Sequence, residues 1–579
     1  PLMYEGGGAR TSCTDIICPM YARVESCLHM SALECKNRPV VLCEYSHAMG
    51  NSNGGLQEYW KCFRQTNSVQ GGFIWDLIDQ GLSGEQRSGK SWNYGGDYGD
   101  SPNDAQFCIN GLLFPDRSPH PSIHEVKYLQ QPVEFSVDFE SGNLKIRNNF
   151  SFMRLDVFNI LWKVKFDNER KAISGILNLP AVSANSECVI PWRQELPNLG
   201  SIAESLQFKE CWIEFFVVLK ESSSWAPKGH IIAQEQILMP RSNKPETKKK
   251  VVLSAEKYKL QIVHENYDIL TIESSSGMRV GFFKSGEKFG CISQIYMNDK
   301  MLVCSGPSPN FLRAPIDNDY GGEVFSYVNR WRNAEIESFV LARNTNTSGM
   351  NYSFDSNGIF NISFQCWIVR RGDKSNTKMN LVMEYSVKPS GIIFLDVSIQ
   401  KVASLPPLAR VGLSMTCSDE LQGIEWFGRG KHECYSDRKA SAFVDRYSST
   451  VEELHVPYIF PSENGGRSDV RWLTLRPICD KTHGIFVSAR SQSLFQMSIS
   501  NYTIEELTRA KHQDDLVKSK YVEVHLDHLH MGLGGDDSWS PSVHKDALID
   551  DSGWKFGLVL TPIHSQIDAS DLYCLVDGS

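Results

Sequence analysis

A short apolar run near the start of the chain ends in a glutamate. Residues 38–51 read RPVVLCEYSHAMGN, in which the run VVL at 40–42 is closely followed by Glu44. Apolar runs of this length are typical of a strand buried on both faces of a parallel sheet. In a parallel α/β barrel the chemistry takes place at the carboxyl ends of the strands. We therefore expect Glu44 at the mouth of such a barrel, although a surface acid that merely ends a strand would give the same pattern.

The segments around Glu44 have the order of a barrel. A helical stretch at about 56–65 and an apolar strand within 70–79 follow it, and strand, helix, strand is the repeating unit of a parallel α/β barrel. Residues 1–5 and 15–21 read as two more strand ends. Four strands cannot close an eight-stranded barrel. We therefore expect the chain to start within a domain, as a fragment or a truncated gene model would.

Composition restricts the partners of this chain. A net charge of −9 argues against nucleic acid and against an anionic membrane surface. The sequence has no uninterrupted apolar stretch of membrane-spanning length and no signal-peptide pattern at its start. Sixteen cysteines without metal-finger spacing indicate a reducing compartment, and we predict a cytoplasmic location.

The remaining chain is rich in strands. The Gly/Asp/Asn-rich segment 81–116 is too long for a simple connection and is predicted to form a wall or lid of the site. We predict a β-sandwich at 133–241, a charged linker at 242–250 and one large antiparallel β domain at 251–579. Within that last domain, helical periodicity is best at 322–332 and 503–513.

Four motifs carry a resemblance to a known family. The stretches CEYSHAMGNS, GGFIWDLIDQGL, YGGDYGDSPNDAQFCINGLLFPDR and GGDDSWSP resemble the large multidomain β-galactosidases of glycoside hydrolase family 2, and the match runs to about Pro562. The resemblance implies a multidomain α/β plus all-β fold. Its parts would be the C-terminal half of a TIM (β/α)8 barrel at 1–132, an immunoglobulin-like β-sandwich, and a large β-supersandwich. It also implies retaining hydrolysis of terminal β-D-galactosides such as lactose.

The resemblance implies a role for the glutamate and for its neighbours. A retaining glycosidase uses one carboxylate as nucleophile and a second as acid and then base. The nucleophile would be Glu44, with Tyr21 hydrogen-bonded to it. The acid/base belongs to an Asn-Glu motif on an earlier strand, and neither Glu5 nor Glu34 stands in one, so we expect the general acid to lie outside this sequence.

The resemblance also implies residues that bind the sugar. Tyr45 and His47 would contact the substrate, His47 on the side of the galactose 6-hydroxyl. Trp75 would form an aromatic floor, and Trp539 would stack on the sugar through the face of its ring. Residues 458–465, YIFPSENG, resemble a mobile loop that closes near the ligand, with Gly465 as its hinge. Each of these aromatic side chains could instead be an ordinary core residue.

The resemblance implies two cation sites in the 103–110 loop, a peripheral site for Mg²⁺ and a site for a monovalent cation beside the substrate. Asn103 would bind a peripheral Mg²⁺, the Phe107 backbone carbonyl would bind Na⁺ (or K⁺), and Asn110 would bind both Na⁺ and substrate. Oxygen donors of this kind suit hard cations. A polar loop that holds itself together is the structural alternative. Ala105 replaces an arginine that the family usually has, which puts loop switching in doubt.

Three functions remain open at this point. The first is a β-galactosidase that acts on a small galactoside, and members of its family are often tetramers. The second is a non-catalytic galactoside-binding remnant or pseudo-enzyme. The third, another family 2 glycosidase such as a β-glucuronidase, is disfavoured by Trp539 and by the loop from Asn103 to Asn110.

Overall fold

The computed structural model describes most of the chain. The described residues are 1–5, 10–33, 38–84, 91–166, 172–178, 181–191, 210–240, 258–490, 493–564 and 566–577. The predicted linker at 242–250 lies outside them. The contacts divide the chain into two compact units, Pro1–Glu125 with Val252–Asp577, and Val126–Val251. The domain boundaries proposed from the sequence stay predictions.

A parallel strand–helix–strand unit carries Glu44. Strand β1 (Val40–Tyr45) pairs in parallel with β2 (Val69–Ile74), and helix α2 (Leu56–Gln65) connects them, after helix α1 (Val24–Leu33) earlier in the chain. Helix α2 buries Leu56, Tyr59 and Cys62, which lie three residues apart on one face, while its other positions are mostly polar. The helix predicted at 56–65 and the parallel strand order are confirmed.

Two of the four predicted barrel strands are not regular strands. Residues 15–21 make only isolated parallel bridges to β1, from Ile17 to Val40 and from Met20 to Glu44. Pro19 lies between the bridges and lacks the N–H that a continuous ladder requires. Residues 1–5 are exposed and belong to no strand ladder. The Leu2 carbonyl accepts a hydrogen bond from Asp15 N at 2.8 Å. The prediction of a strand at 1–5 is therefore wrong.

The segment that follows β2 runs back alongside the residues at the end of β2. It contains the short strands β3 (Leu82–Ser83) and β4 (Trp92–Asn93), a 3₁₀ turn at Ala105–Cys108 and helix α3 (Ser122–Leu129). Residues 76–79 run beside 110–113 in parallel, with hydrogen bonds from Asp76 N to Asn110 O at 2.7 Å and from Leu113 N to Leu77 O at 3.0 Å. This pairing brings the 103–110 loop next to the end of β2.

The unit at 126–251 is built from antiparallel strands. They are β5 (Val133–Asp138), β6 (Asn143–Asn148), β7 (Phe158–Phe166), β8 (Ile173–Leu177), β9 (Ser186–Ile190), β10 (Cys211–Leu219) and β11 (Ile231–Leu238). The sheets have the orders β11-β10-β7-β8 and β5-β6-β9. Inward side chains of both sheets, such as Ile146, Val164 and Phe215, share one core. The alternating pattern read from the sequence gives this arrangement because every second side chain of a strand faces the core.

Residues 258–577 form two large antiparallel sheets. Their strands are β12 (Leu260–Glu265), β13 (Ile269–Ser274), β14 (Met278–Phe283), β15 (Ile292–Met297), β16 (Lys300–Asn310), β17 (Phe339–Arg343), β18 (Met350–Phe354), β19 (Phe360–Arg370), β20 (Asp373–Val387), β21 (Ile393–Lys401), β22 (Arg410–Cys417), β23 (Gly423–Gly430), β24 (Phe443–Thr450), β25 (Arg467–Val470), β26 (Trp472–Arg476), β27 (Gly484–Ala489), β28 (Phe495–Ser500), β29 (Val522–His530) and β30 (Gly553–Ile563).

One core holds these two sheets together. The sheet orders are β12-β13-β14-β15-β16-β22-β29-β28-β25 and β17-β19-β20-β21-β30-β27-β26-β23-β24, with β18 beside β19. Side chains from both, such as Phe282, Tyr385 and Leu413, belong to a single hydrophobic cluster. The predicted large antiparallel β domain is therefore present.

Short helices connect these strands. They are α4 (Asp317–Tyr320), α5 (Tyr327–Asn333), α6 (Val451–Leu454), α7 (Ile504–Arg509) and α8 (Ala569–Asp577). The predicted helices at 322–332 and 503–513 are confirmed in α5 and α7, which are shorter than expected. None of the helices in the described part of the chain combines the length and the apolar character needed to span a membrane.

Candidate active site

Glu44 is fixed at the carboxyl end of β1. It is the last residue but one of the strand, half-buried, and its carbonyl accepts from Tyr21 N at 2.8 Å. Tyr21 (φ 49°) and Ser46 (φ 53°) are both in the left-handed region, which non-glycine residues seldom adopt. Such conformations cluster at functional sites because the surrounding structure must hold them in place.

Tyr21 interacts with Glu44 through its side chain as well. Its hydroxyl lies close enough to the Glu44 carboxylate for the two side chains to interact. Burial raises the pKa of Tyr21 above its ordinary value, and the hydrogen bond to Glu44 and the negative charge of that carboxylate raise it further. The phenol therefore stays protonated and can donate to the carboxylate, and the predicted role of Tyr21 stays a prediction.

Four aromatic rings from distant parts of the chain meet beside this pair. The Trp539 ring centroid lies 4.6 Å from that of Tyr21, with an interplanar angle of 88°. The His47 ring lies 5.9 Å from Tyr21, 5.5 Å from Trp539 and 5.5 Å from Phe107. We call Tyr21, His47, Phe107 and Trp539 the aromatic cluster. Trp539 and Phe107 remain 46% and 41% exposed, so a ligand could still contact their rings.

The turn that carries Trp539 is held by an aspartate and an arginine. Asp537 accepts from the backbone N–H groups of Trp539 (3.1 Å) and Ser540 (2.8 Å). Arg23, just before α1, donates to Ser540 Oγ at 2.8 Å and to the Asp537 carboxylate at 3.4 Å. The large β domain therefore contributes Trp539 from a turn that is tied to the segment carrying Tyr21.

His47 is buried and neutral. It is 1% exposed, and its Nδ1 lies 2.8 Å from Ser538 Oγ. Burial lowers the pKa of His47 to about 4, while the negative charge of Asp537 acts in the opposite direction. A neutral imidazole has one N–H donor and one bare nitrogen, so His47 can both hold its position and accept a hydrogen bond.

The large β domain also holds the loop that follows Glu44. Asn51 donates to the Glu463 carbonyl at 2.7 Å, and the Arg438 guanidinium donates to the Ser52 carbonyl. Gly54 N donates to the Gly534 carbonyl at 2.7 Å. Because Asn51 and Ser52 are fully buried, these bonds satisfy backbone and amide groups that water cannot reach.

A buried carboxylate joins this loop to the 103–110 loop. Asp317 at the start of α4 is 4% exposed and accepts from Gln106 Nε2 at 3.1 Å. Its other carboxylate oxygen lies so close to Gly50 that a Cβ there would approach it to 2.2 Å, and Gly50 has a φ of +59°. Burial raises the pKa of Asp317 to about 6, and the Gln106 hydrogen bond opposes this shift.

The predicted sodium ligands lie next to each other. Asn110 is 4% exposed and its Nδ2 donates to the Phe107 carbonyl at 2.9 Å, while its Oδ1 is buried and has no hydrogen-bond partner among the described residues. A buried oxygen that has no hydrogen-bond partner can instead coordinate a cation. This donor set fits a hard monovalent cation.

The predicted magnesium ligand is engaged within its own loop. Asn103 Oδ1 accepts from Ala105 N at 3.0 Å, and its Nδ2 donates to the Asp100 carbonyl at 2.9 Å. No group of three or more His, Cys, Asp or Glu side chains in the described part of the chain could hold a metal ion. The Asn103 side chain therefore helps to hold its own loop together, and its predicted contact with Mg²⁺ stays a prediction.

Trp75 is available to a ligand, whereas Tyr45 is not. Trp75 follows β2, is 38% exposed, and its carbonyl accepts from Ala48 N at 2.7 Å. Tyr45 is 1% exposed and packs against Tyr59 and Phe63 of α2, at centroid distances of 5.3 and 5.4 Å. Neighbouring residues of a strand face opposite sides, so Tyr45 points toward the helix layer while Glu44 faces the site. The prediction of Tyr45 as a substrate contact is wrong.

The segment 458–465 is not an exposed loop. Tyr458 is 1% and Glu463 is 3% exposed, and the Tyr458 hydroxyl donates to the Glu433 carboxylate at 2.8 Å. Gly465 N donates to the same carboxylate at 2.6 Å. Opening this segment would expose buried ionic groups, so the prediction of a mobile loop here is wrong.

Sequence analysis missed several residues of this site. Asp317, Asn318, Gln106, Ser538 and Arg23 all reach it from other elements. Ser538 lies within the motif GGDDSWSP, in which Trp539 alone was assigned a role. The acidic run at 317–319 in APIDNDYGG was a signal that the interpretation did not use.

Comparisons with known proteins identify relatives along most of the chain. The family description "Glycosyl hydrolases family 2, TIM barrel domain" matches residues 1–135, "Beta-galactosidase, domain 4" matches 144–240, and "Beta galactosidase small chain" matches 277–560. A protein named Beta-galactosidase from Pseudoalteromonas haloplanktis is 35% identical, over 97% of this chain and 53% of its own length. Another of that name from Vibrio cholerae is 35% identical, over 97% of this chain and 52% of its own length.

The chain spans about half the length of these relatives. Among solved structures, a galactose 1-epimerase from Lactobacillus acidophilus is similar with a TM-score of 0.28 and 10% identity, covering 54% of this chain and 99% of its own. This structural similarity is too low to support an argument about fold or function.

Proposed function

This chain belongs to glycosyl hydrolase family 2, and we propose that it supplies the nucleophile and the sugar-binding side chains of a retaining β-galactosidase. The observation that carries the proposal is the place of Glu44 at the carboxyl end of β1, with Tyr21 against it and the aromatic cluster directly beside the pair. A carboxylate oriented by a protonated phenol next to exposed aromatic faces is suited to attack on a bound sugar. The proposed architecture is half a TIM barrel, an immunoglobulin-like sandwich and a supersandwich.

In the proposed reaction, a Glu44 carboxylate oxygen attacks the anomeric carbon of a terminal β-D-galactoside. The bond to the leaving group breaks, and a covalent galactosyl–Glu44 ester forms, which water then hydrolyses with overall retention. Tyr21 orients the Glu44 carboxylate before the attack. It can donate to the same carboxylate again once water has hydrolysed the ester. Trp75 and Trp539 offer ring faces to the C–H groups of the sugar, and His47 offers a hydrogen bond to one of its hydroxyls.

We propose that a monovalent cation binds beside the sugar. The Phe107 carbonyl and the orphaned Asn110 Oδ1 would hold Na⁺ or K⁺, which would bind a sugar hydroxyl electrostatically. Rotation of the Asn110 side-chain amide would point its Oδ1 at the ion. The Mg²⁺ predicted at Asn103 has no role in the proposed reaction, because that side chain is engaged within its own loop.

The reaction also needs a general acid about 5–5.5 Å from the nucleophile. We propose that this group is supplied from outside residues 1–579, because neither Glu5 nor Glu34 has the expected Asn-Glu context. Protonation of the leaving group contributes about 10²- to 10⁴-fold to the rate. The 579-residue chain alone should therefore not turn over lactose, whereas it should still react with substrates whose leaving group needs no proton.

This difference defines the experiment. The chain is treated with 2,4-dinitrophenyl 2-deoxy-2-fluoro-β-galactoside, whose leaving group departs without protonation, and the modified peptide is identified by mass spectrometry. We expect one galactosyl adduct, on Glu44, and none on the Glu44→Gln variant. The matched control is Glu25→Gln, which alters an exposed carboxylate of α1 and should label as the wild type does.

Two outcomes would contradict the proposal. An adduct on another carboxylate would remove Glu44 as the nucleophile. Saturable binding of galactose without any adduct would favour the second function, a galactoside-binding protein without turnover.

A further inference from the structure

A closed set of hydrogen bonds connects His47 to the large β domain. His47 Nδ1 lies 2.8 Å from Ser538 Oγ, and Ser538 Oγ lies 2.7 Å from Asn318 Oδ1. Asn318 Nδ2 lies 3.0 Å from Ser52 Oγ and 3.1 Å from the Leu533 carbonyl. The proposed function uses His47 but assigns nothing to Asn318 or Ser538.

The proton positions in this set of hydrogen bonds follow from the Leu533 carbonyl oxygen, which can only accept. The Leu533 carbonyl has no proton, so the Asn318 atom that faces it at 3.1 Å must be the amide nitrogen. The other Nδ2 proton is donated to Ser52 Oγ, whose own proton is donated to the His47 carbonyl at 2.7 Å. Asn318 Oδ1, which faces Ser538, is therefore an acceptor.

Ser538 then determines the proton on His47. Its single hydroxyl proton is donated to Asn318 Oδ1, so toward His47 its oxygen can only accept. The hydrogen bond between Ser538 and His47 is made only if His47 Nδ1 carries a proton. All the side chains of this set are buried, from 0% exposure at Ser52 to 7% at Ser538, so water cannot readily replace a missing partner.

We infer that Asn318 and Ser538 are positioning residues that hold His47 as its Nδ1–H tautomer, so that Nε2 faces the ligand as a hydrogen-bond acceptor. The ring is 1% exposed and has no carboxylate partner among the described residues, so burial favours its neutral form, which keeps one bare nitrogen. No hydrogen bond from the described residues to Nε2 is found, and the ring lies within the aromatic cluster. The β domain would thereby set the hydrogen-bonding character of the sugar site.

If the chain binds galactosides as proposed, the Nδ1–H tautomer of His47 should make the site specific for a hydrogen-bond donor. A fixed acceptor favours a ligand that offers a hydroxyl proton at that point, and it rejects a group that can only accept. The probe is 6-deoxy-6-fluoro-galactose, in which fluorine, a group that cannot donate, replaces the primary hydroxyl. Loss of a hydrogen bond at a buried acceptor costs about 1–3 kcal/mol, which corresponds to an affinity about 5- to 150-fold weaker than that of galactose.

The tautomer itself can be measured without any ligand. The full chain is labelled with ¹⁵N-histidine, and the ¹⁵N shifts and ring couplings identify which nitrogen of each neutral imidazole carries the proton. The His47 resonances are assigned by their loss in His47→Gln. We expect His47 in the Nδ1–H form in the wild type and in Ser538→Thr, which keeps the hydroxyl, and loss of this single form in Ser538→Ala.

The matched control is a second buried serine. Ser488 is 0% exposed and its Oγ has no hydrogen-bond partner among the described residues, so Ser488→Ala should leave the His47 spectrum unchanged. A proton on Nε2 of His47 in the folded wild type would overturn the inference. So would an Nδ1–H form that persists unchanged in Ser538→Ala.

Binding measurements separate this inference from the proposed function. Galactose and its 6-fluoro analogue are titrated against wild type and Ser538→Ala, and we expect discrimination in the wild type that is reduced in the variant. An Nδ1–H tautomer in a protein that binds no galactose would contradict the proposed function while supporting the positioning role. Equal affinities for the two sugars would overturn the specificity consequence.

Discussion

The Trp539 ring stands edge-on to that of Tyr21, with centroids 4.6 Å apart and planes at 88°. Tyr21 belongs to the segment that holds the nucleophile, whereas Trp539 belongs to a turn after β29 of the large β domain. Edge-to-face pairs of this kind are favourable because the positive ring edge meets the negative ring face. The candidate site is therefore formed jointly by the N-terminal segment that carries Tyr21 and Glu44 and by the large β domain.

Removal of Trp539 should weaken ligand binding without unfolding the protein. Trp539→Ala removes a ring that is 46% exposed, so little core packing is lost. A ring contact of this type contributes about 0.5–1.5 kcal/mol, and we expect galactoside affinity to fall about 2- to 13-fold. Titration calorimetry provides the measurement. Trp225→Ala, at a 66% exposed tryptophan of the other unit, should bind as the wild type does. Equal affinity of both variants would exclude Trp539 from the site.

Loss of the Tyr21 hydroxyl should slow the reaction of Glu44. Tyr21→Phe leaves the carboxylate without its oriented donor, and we expect labelling by the fluorinated galactoside to slow by about 10- to 100-fold. The rate of adduct formation, followed by mass spectrometry, checks this. Tyr128→Phe removes another tyrosine–glutamate hydrogen bond, the 2.8 Å contact with Glu235, and serves as the matched control. An unchanged rate in Tyr21→Phe would show that this hydrogen bond does not assist the nucleophile.

The effect of Na⁺ on galactoside binding should depend on Asn110 and not on Asn103. When Na⁺ is replaced by tetramethylammonium, which is too large for a site of this kind, we expect weaker galactoside binding by the wild type. Asn103→Ala should keep this dependence, because that side chain only completes its own loop. Asn110→Ala should lose it, together with the orphaned Oδ1. Titrations in the two salts test the prediction, and a wild type indifferent to the cation would refute it.

Asp317 should make stability depend on pH. Its pKa is raised from the ordinary 3.8 to about 6, so the folded state binds a proton more tightly than the unfolded state does. The contribution of Asp317 is thus most favourable below pH 4 and is lost as the pH rises to about 6. Asn cannot titrate and can still accept from Gln106. We expect Asp317→Asn to gain about 2–3 kcal/mol over the wild type between pH 4 and pH 7.

Urea denaturation at the two pH values measures this gain. Asp551→Asn, which alters an exposed carboxylate, should show the same difference from the wild type at both pH values. A gain for Asp317→Asn that is equal at pH 4 and at pH 7 would mean that Asp317 has an ordinary pKa.

The local elements, and the place of Glu44 in them, could be predicted from the amino-acid sequence. The apolar run at 40–42, the amphipathic spacing at 56–65 and the alternating patterns of the β domains depend on neighbouring residues, so β1, α2 and strands such as β7 and β10 could be predicted. Glu44 stands at a strand end for the same reason. Pro19, in contrast, breaks the ladder that the apolar character of 15–21 had suggested.

Which side chains share the site depends on contacts between distant segments, which no local sequence pattern records. Strand alternation removes Tyr45 from it, and the burial of 458–465 excludes a loop that opens there, although both segments have the expected residues. Asn318, Ser538 and Arg23 reach the site because β-sheet topology brings distant turns together, and no local pattern records such contacts. The proton on His47 depends on four hydrogen bonds between three separate segments, so it follows from packing and not from any stretch of sequence.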